Sequence, residues 1–238
     1  MFYFAGSRKP DFKNTSLKKS IFDDYWQMNG YGLRNKLMDR EEIFFDWISA
    51  GSKVLSIGCG NSRLPYELIQ KKQCFVFAID LAESVIETQQ KQGVKAYRVD
   101  VGNPVDFGKI FGDEHIKFDY VIMGELLQQL RLPEELLHNL EGHAQYLAIS
   151  IPNSAFYRYR IGLFFGGHFF TQWNNHPAET LRYWSHKDFM DWLSALGWKI
   201  VKSKASNGLS LGFLQLYNWW PNMFGHQICY LVRQKSKI

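Results

Sequence analysis

Cysteine is scarce in this sequence. Cys59, Cys74 and Cys229 are the only three among 238 residues, they lie far apart, and no Cys-x-x-Cys pair occurs. That argues against a disulfide scaffold and against a bound metal, and it fits a reducing compartment. Long apolar runs are missing too. The apolar start Met1 to Ala5 meets Arg8, Lys9 and Asp11 at once, which is too short for a secretory leader. The stretch from Ile161 to Phe170 is apolar but interrupted by Gly162, Gly166, Gly167 and His168. It stays well under the ~18 apolar residues of a membrane span. The expectation is a soluble, cytoplasmic protein without a membrane span. With no internal repeat and no low-complexity tract, the chain reads as one domain with a cap.

Charge of either sign is modest. Lys and Arg total 28 against 23 Asp and Glu, a net charge of +5. Part of the excess is Lys9, Lys13, Lys18 and Lys19, which follow no helical or strand period. Such clusters are usually solvated arms, so residues 1–33 are read as an N-terminal arm or lid. A nucleic-acid or anionic-lipid contact is the lesser reading. Hydrophobic residues make up 46%, ordinary for a globular core, while aromatics are plentiful at 16%.

Hydrophobic spacing predicts a helix from about Arg34 to Ser49, closed by Gly51, and then a buried strand over Lys53 to Ile57. Ser62 and Pro65 open a helix that runs to about Gln70. Cys74 to Ile79 is a second strand, Glu83 to Gln90 a helix, and Val94 to Val99 a third strand. Phe118 to Met123, a helix from Pro133 to Leu140, and Gln145 to Ile151 continue the alternation. It predicts an α/β fold: a Rossmann-like three-layer sandwich with a mostly parallel seven-stranded sheet. Ser185 and Asp188 have capping-box spacing for a helix to Leu196. The strands Trp198 to Ala205 and His226 to Val232 follow one another, which predicts an antiparallel C-terminal hairpin at the sheet edge. Between them, Asn207 to Phe224 reads as a long aromatic loop. Residues 34–238 form the domain, and the aromatic insertion at 152–184 forms the cap.

The chemistry concentrates where strands end. Val54-Leu55-Ser56-Ile57-Gly58-Cys59-Gly60-Asn61-Ser62 delivers a Gly-x-Gly turn from a strand into a helix. The glycines let a ligand lie against the backbone beside the free N–H groups of a helix start. Asp80 ends the next strand, 22 residues after Gly58. An acidic residue at that separation accepts from ribose hydroxyls in Rossmann-type sites, although a helix cap is the bland alternative. Asp100 ends the third strand, and Met123-Gly124-Glu125 ends the fourth. A dinucleotide fingerprint would need glycine at position 63, where Arg63 stands, and no Gly-Lys-Ser/Thr follows the turn. NAD, FAD and P-loop chemistry are disfavoured on those grounds.

Taken together, Val-Leu-x-Ile-Gly-Cys-Gly, Asp80, Asp100 and Phe118-Asp119-Tyr120-Val121-Ile122 resemble class I S-adenosylmethionine-dependent methyltransferases. The resemblance covers roughly Lys53 to Ile151. It implies S-adenosyl-L-methionine as cofactor, with Gly58, Cys59 and Gly60 along its methionine part. It places Asp80 on the ribose, Asp100 and Val101 at the adenine, Leu81 on the adenine face, and Met123 and Gly124 near the sulfonium. Two positions depart from the family pattern: Ser56 replaces the usual acidic residue, and Ser62 fills a usual glycine slot. A narrower likeness, through Leu126-Leu127-Gln128-Gln129-Leu130, Pro133 to Leu137, Ile151-Pro152-Asn153 and Trp184 to Phe189, is to the methionine-biosynthesis protein W branch. That branch is associated with a homoserine acyltransferase partner.

The resemblance implies in-line methyl transfer to a small molecule. The alternative is a non-catalytic or regulatory subunit that binds a partner enzyme, which Ser56 and Ser62 motivate. A proton-bearing acceptor would need a base, and the candidates are His176, Glu125 and His168. The insertion gathers Phe156, Tyr157, Tyr159, Phe164, Phe165, Phe169, Phe170 and Trp173, with Arg158 and Arg160 between them. Three readings stay open for it: an acceptor pocket for an anionic small molecule, a homodimer or partner-enzyme surface, or shallow membrane contact. Tyr25, Trp26 and Tyr31 are candidates to close over the cofactor.

Overall fold

The computed structural model describes residues 32–103, 116–166 and 180–235. Five parallel strands form its centre: β1 (Lys53–Ile57), β2 (Phe75–Asp80), β3 (Lys95–Arg98), β4 (Phe118–Gly124) and β5 (Ala144–Pro152). Two long strands, β6 (Trp198–Gly208) and β9 (Gly225–Gln234), pair antiparallel. Between them in sequence lies a small separate ladder of β7 (Ser210–Leu211) and β8 (Leu214–Gln215). The seven-stranded order is β3-β2-β1-β4-β5-β9-β6. The chain reverses its direction of travel across the sheet between β1 and β4, where open α/β sheets leave a ligand crevice at their carboxyl edge.

Both faces of the central strands β1 and β4 are buried, as interior parallel strands require. Leu55, Val121, Leu147 and Ile149 point to one face and pack with α4 (Pro133–Asn139) and α6 (His186–Ala195). Their neighbours Val54, Ile122 and Ala148 point to the other, under α1 (Asp39–Trp47), α2 (Leu64–Lys72) and α3 (Glu83–Lys91). Each of the Leu, Ile and Val side chains contributes about 1.5–3 kcal/mol by leaving water. The three-layer sandwich expected from the sequence is the fold observed.

Helix ends follow local chemistry. In α1 the start falls at Asp39, later than the spacing suggests, because Glu41 Oε2 accepts the Met38 N–H at 3.0 Å and fixes the first turn there. Ser62 Oγ accepts the Leu64 N–H at 3.2 Å at the start of α2. Ser185 and Asp188 cap α6 reciprocally, each bond at 3.1 Å. Two segments read as irregular are partly regular. The insertion contains α5 (Tyr157–Gly166), none of whose side chains is buried. The segment before β9 contains β7, β8 and two short helices, α7 (Leu216–Trp219) and α8 (Pro221–Phe224). Their lack of amphipathic period hid them, since neither lays a full apolar face on the core. Among the described residues no helix is long and apolar enough to cross a membrane.

Candidate cofactor and acceptor site

The glycine turn is built from β1 and locked by two neighbours. Gly58 and Gly60 take left-handed conformations, φ +63° and +51°, open to glycine at little cost. The Gly58 and Cys59 N–H groups both donate to the Ile79 carbonyl, at 2.8 and 3.2 Å. A Cβ on Gly58 would stand 3.0 Å from Leu126 Cδ1, so the turn presses against the segment after β4. We expect Gly58→Ala to cost about 1–2 kcal/mol from the left-handed backbone alone, read as a lowered melting temperature.

Asp80 reaches back over this turn from the end of β2. One carboxylate oxygen accepts the Gly60 N–H at 2.9 Å and the other accepts the Ala82 N–H at 3.0 Å. It therefore holds the turn, a role not read from the sequence, and it caps the chain leading to α3, the bland alternative considered there. Gln89, fully buried on α3, secures the other side, donating to the Gly60 carbonyl at 3.0 Å and the Ser62 carbonyl at 2.9 Å. Nothing in the sequence marks Gln89; its helix spacing is that of any core position. Arg63 is drawn away onto Glu67, at 2.6 Å.

Leu81 and Asp100 line one cavity of about 730 Å³, together with Phe77, Val99 and Phe118. Asp100 Oδ1 also accepts the Gly102 N–H at 2.9 Å, so Val101 lies within a turn closed by its neighbour. Two proposed cofactor residues offer only backbone to a ligand. Cys59 packs into the core on the α2 face, and burial, reinforced by Asp80, holds its thiol well above the usual cysteine range. Met123 is fully buried on the opposite face. Gly124 lies against Arg40, whose Nε is 3.5 Å from where a Cβ would be.

Glu125 follows with φ +54°, rare for a residue with a side chain. Its backbone is fixed by the Ser150 carbonyl at 3.0 Å. Its carboxylate accepts from Gln227 Nε2 at 2.5 Å and faces Arg40 Nη1 at 3.5 Å. Both oxygens are thus engaged, which suits a fixed negative charge better than a free base. His168 and His176 lie outside the described residues, as do Tyr25, Trp26 and Tyr31. A histidine passed over in the sequence stands near Glu125 instead: His226, the second residue of β9, accepts at Nε2 from the Tyr159 hydroxyl at 2.6 Å. No group of three or more His, Cys, Asp or Glu among the described residues could hold a metal.

Burial pushes His226 and His186 below the usual histidine range, with Glu125 opposing the shift at His226. Below the ordinary value near 6.5 the unfolded chain then binds more protons than the folded one, so stability falls as pH drops through that window. We expect the melting temperature to fall between pH 7 and pH 5, and to fall less steeply in His186→Asn.

The switch-point crevice, the left-handed glycine turn and the acidic end of β2 define the class I S-adenosylmethionine-dependent methyltransferase fold. A Haloferax volcanii methyltransferase, solved in complex with the Trm112 activator, superposes at TM-score 0.62 with 9% identity, covering 92% of this chain and 98% of its own. Burkholderia thailandensis 1,6-didemethyltoxoflavin-N1-methyltransferase, solved with S-adenosylhomocysteine, superposes at 0.57 with 14% identity, covering 91% and 84%. The family model of methionine biosynthesis protein MetW matches residues 38–232, and the chain belongs to that family. The bifunctional methionine biosynthesis protein MetXA/MetW of Rhodopirellula baltica is 27% identical over 128 residues, 50% of this chain. The match spans only 20% of that relative's length.

Proposed function

We propose that the chain is an S-adenosylmethionine-dependent methyltransferase acting on a small molecule. The observation that carries this reading is the clamp of Asp80 on Gly60 at 2.9 Å, which fixes a cradle of backbone and carboxylate at the crevice. The residues fit the cofactor. The Gly58–Gly60 backbone would meet its methionine part and Asp80 its ribose, while Leu81, Asp100 and Val101 would meet its adenine. Gly124 and Glu125 would lie near its sulfonium. When bound, S-adenosylmethionine supplies a methyl group already activated for displacement, so positioning and exclusion of water carry most of the rate effect. Calorimetric titration of the purified chain with S-adenosylmethionine and S-adenosylhomocysteine tests the reading. Micromolar binding of both is expected; no heat from either would sink it.

A second reading is favoured by a separate observation. Exposed apolar side chains gather on α5 and around α7: Phe164 is 82% exposed, Phe165 80%, Phe213 93% and Trp219 79%. Patches of this kind mark interaction surfaces, and one relative bears the names of two methionine-biosynthesis proteins in a single chain. On this reading the chain is a subunit that docks on an enzyme of methionine biosynthesis. Affinity purification from host cells separates the two readings: a stoichiometric enzyme partner held by a chain that binds no cofactor supports the subunit.

A further inference from the structure

We propose that Tyr159, His226 and Asn207 form a proton relay that takes the proton of an oxygen or nitrogen methyl acceptor, with Glu125 as its charge partner. The proposal rests on the methyl-transfer reading and adds the acceptor class: a hydroxyl or a protonated nitrogen, rather than a carboxylate or a thioether.

Hydrogen-bond direction fixes the tautomer. His226 Nδ1 lies 3.3 Å from Asn207 Oδ1. A carboxamide oxygen only accepts, so Nδ1 carries the hydrogen and Nε2 keeps its lone pair. That lone pair faces the Tyr159 hydroxyl at 2.6 Å, and the tyrosine is the donor. The three residues come from α5, β9 and β6, and the Phe156 ring packs edge-on against both Tyr159 and His226, at 5.5 and 5.2 Å. The place is right for an acceptor. Along the carboxyl edge of the sheet, β3, β2 and β1 carry Asp100, Asp80 and the glycine turn, while β9 and β6 carry the relay on the far side of β4. Glu125 stands between the two halves, its carboxylate accepting from Gln227, the residue after His226.

The charges around His226 suit a base. Burial keeps the imidazole neutral; Glu125 favours its protonated form and Arg158 on α5 opposes it. In the transfer step the acceptor's X–H bond breaks, and its electron pair forms the new bond to carbon. The proton passes to Tyr159 Oη as the tyrosine's own proton passes to His226 Nε2. The electron pair of the cleaved carbon–sulfur bond stays on sulfur. The imidazolium that results is balanced by Glu125.

The test uses the full chain, Tyr159→Phe and His226→Gln. Each is titrated calorimetrically with S-adenosylhomocysteine and then given tritiated S-adenosylmethionine with a protein-free small-molecule extract of host cells. The variants are expected to bind S-adenosylhomocysteine within about threefold of the wild type and to lose on the order of 100-fold in tritium transfer. Wild-type transfer should rise with pH as His226 loses its proton, and His226→Gln should lack that limb. Nitrogen-15 spectra of histidine-labelled protein should show His226 neutral at pH 7 and protonated on Nδ1. A pair that merely holds α5 on the sheet would lower the melting temperature and leave the pH profile in place, which would overturn the proposal. So would a His226 protonated on Nε2 alone, or a wild type that binds S-adenosylhomocysteine and transfers to nothing. Failure of the wild type to bind would instead overturn the methyl-transfer reading beneath it.

Discussion

Asp80→Ala is expected to abolish measurable binding of S-adenosylmethionine and S-adenosylhomocysteine while the fold persists. Alanine removes the proposed ribose acceptor and, in the same stroke, the bonds to the Gly60 and Ala82 N–H groups. Hydrogen bonds to a carboxylate contribute about 1.5–3 kcal/mol each. Two lost to the ribose therefore weaken binding by about 100-fold or more, at 1.4 kcal/mol per factor of ten. Release of the glycine turn adds an ordering cost on binding. Asp80→Asn keeps one oxygen acceptor and should lose less. Calorimetry gives the affinity, and a thermal melt shows whether the protein is still folded. Unchanged affinity in Asp80→Ala would reduce the residue to a turn clamp.

Asn153→Ala is expected to be the most destabilising single truncation of a polar side chain in the described structure. Asn153 is fully buried where β5 ends. Its Oδ1 accepts from the Ala155 N–H at 3.1 Å and the His186 N–H at 3.2 Å. Its Nδ2 donates toward the carbonyls of Gly225 at 2.7 Å, Asn222 at 3.1 Å and Pro221 at 3.2 Å. One side chain thus joins β5, the start of α6, and the turn that aims β9. Each buried group left unpaired costs about 1–3 kcal/mol, so a loss of about 3–5 kcal/mol follows. For a chain of this size that is a fall of roughly 10 °C in melting temperature. Asn153→Asp should be nearly as damaging, because it sets an anion against three carbonyl oxygens. A shift within 2 °C for Asn153→Ala, roughly one kcal/mol or less, would mean that water replaces the amide.

The parallel half of the fold was legible because its signals are local. Buried strands are short apolar runs, and their ends carry glycine or acid at the spacing of one strand–helix–strand unit. Gly58, Gly60, Asp80 and Asp100 stand out as candidates that way, while Leu81 comes only from the family resemblance. The proposed acceptor side was not legible. His226 looks like the polar start of a strand, Tyr159 like one aromatic among many, and Asn207 like a loop residue. Succession of the last two strands predicts their antiparallel hairpin, but the insertion of β9 between β5 and β6, which sets this edge, leaves no trace in local periodicity. Cys59 and Met123 show the converse. Both lie in the strand-end motifs, but their side chains turn into the core.

The placement of β9 also bears on how the protein is made. It is the last strand of the sheet to be synthesised, yet it lies inside the sheet between β5 and β6. Until it emerges from the ribosome, β5 has an open edge and β6 has no partner in the sheet. Open edges on a nascent chain invite pairing with the wrong strand. The parallel half can fold as it is made, whereas the half that carries His226 must wait for the residues that close it, and that interval is when a chaperone would matter most.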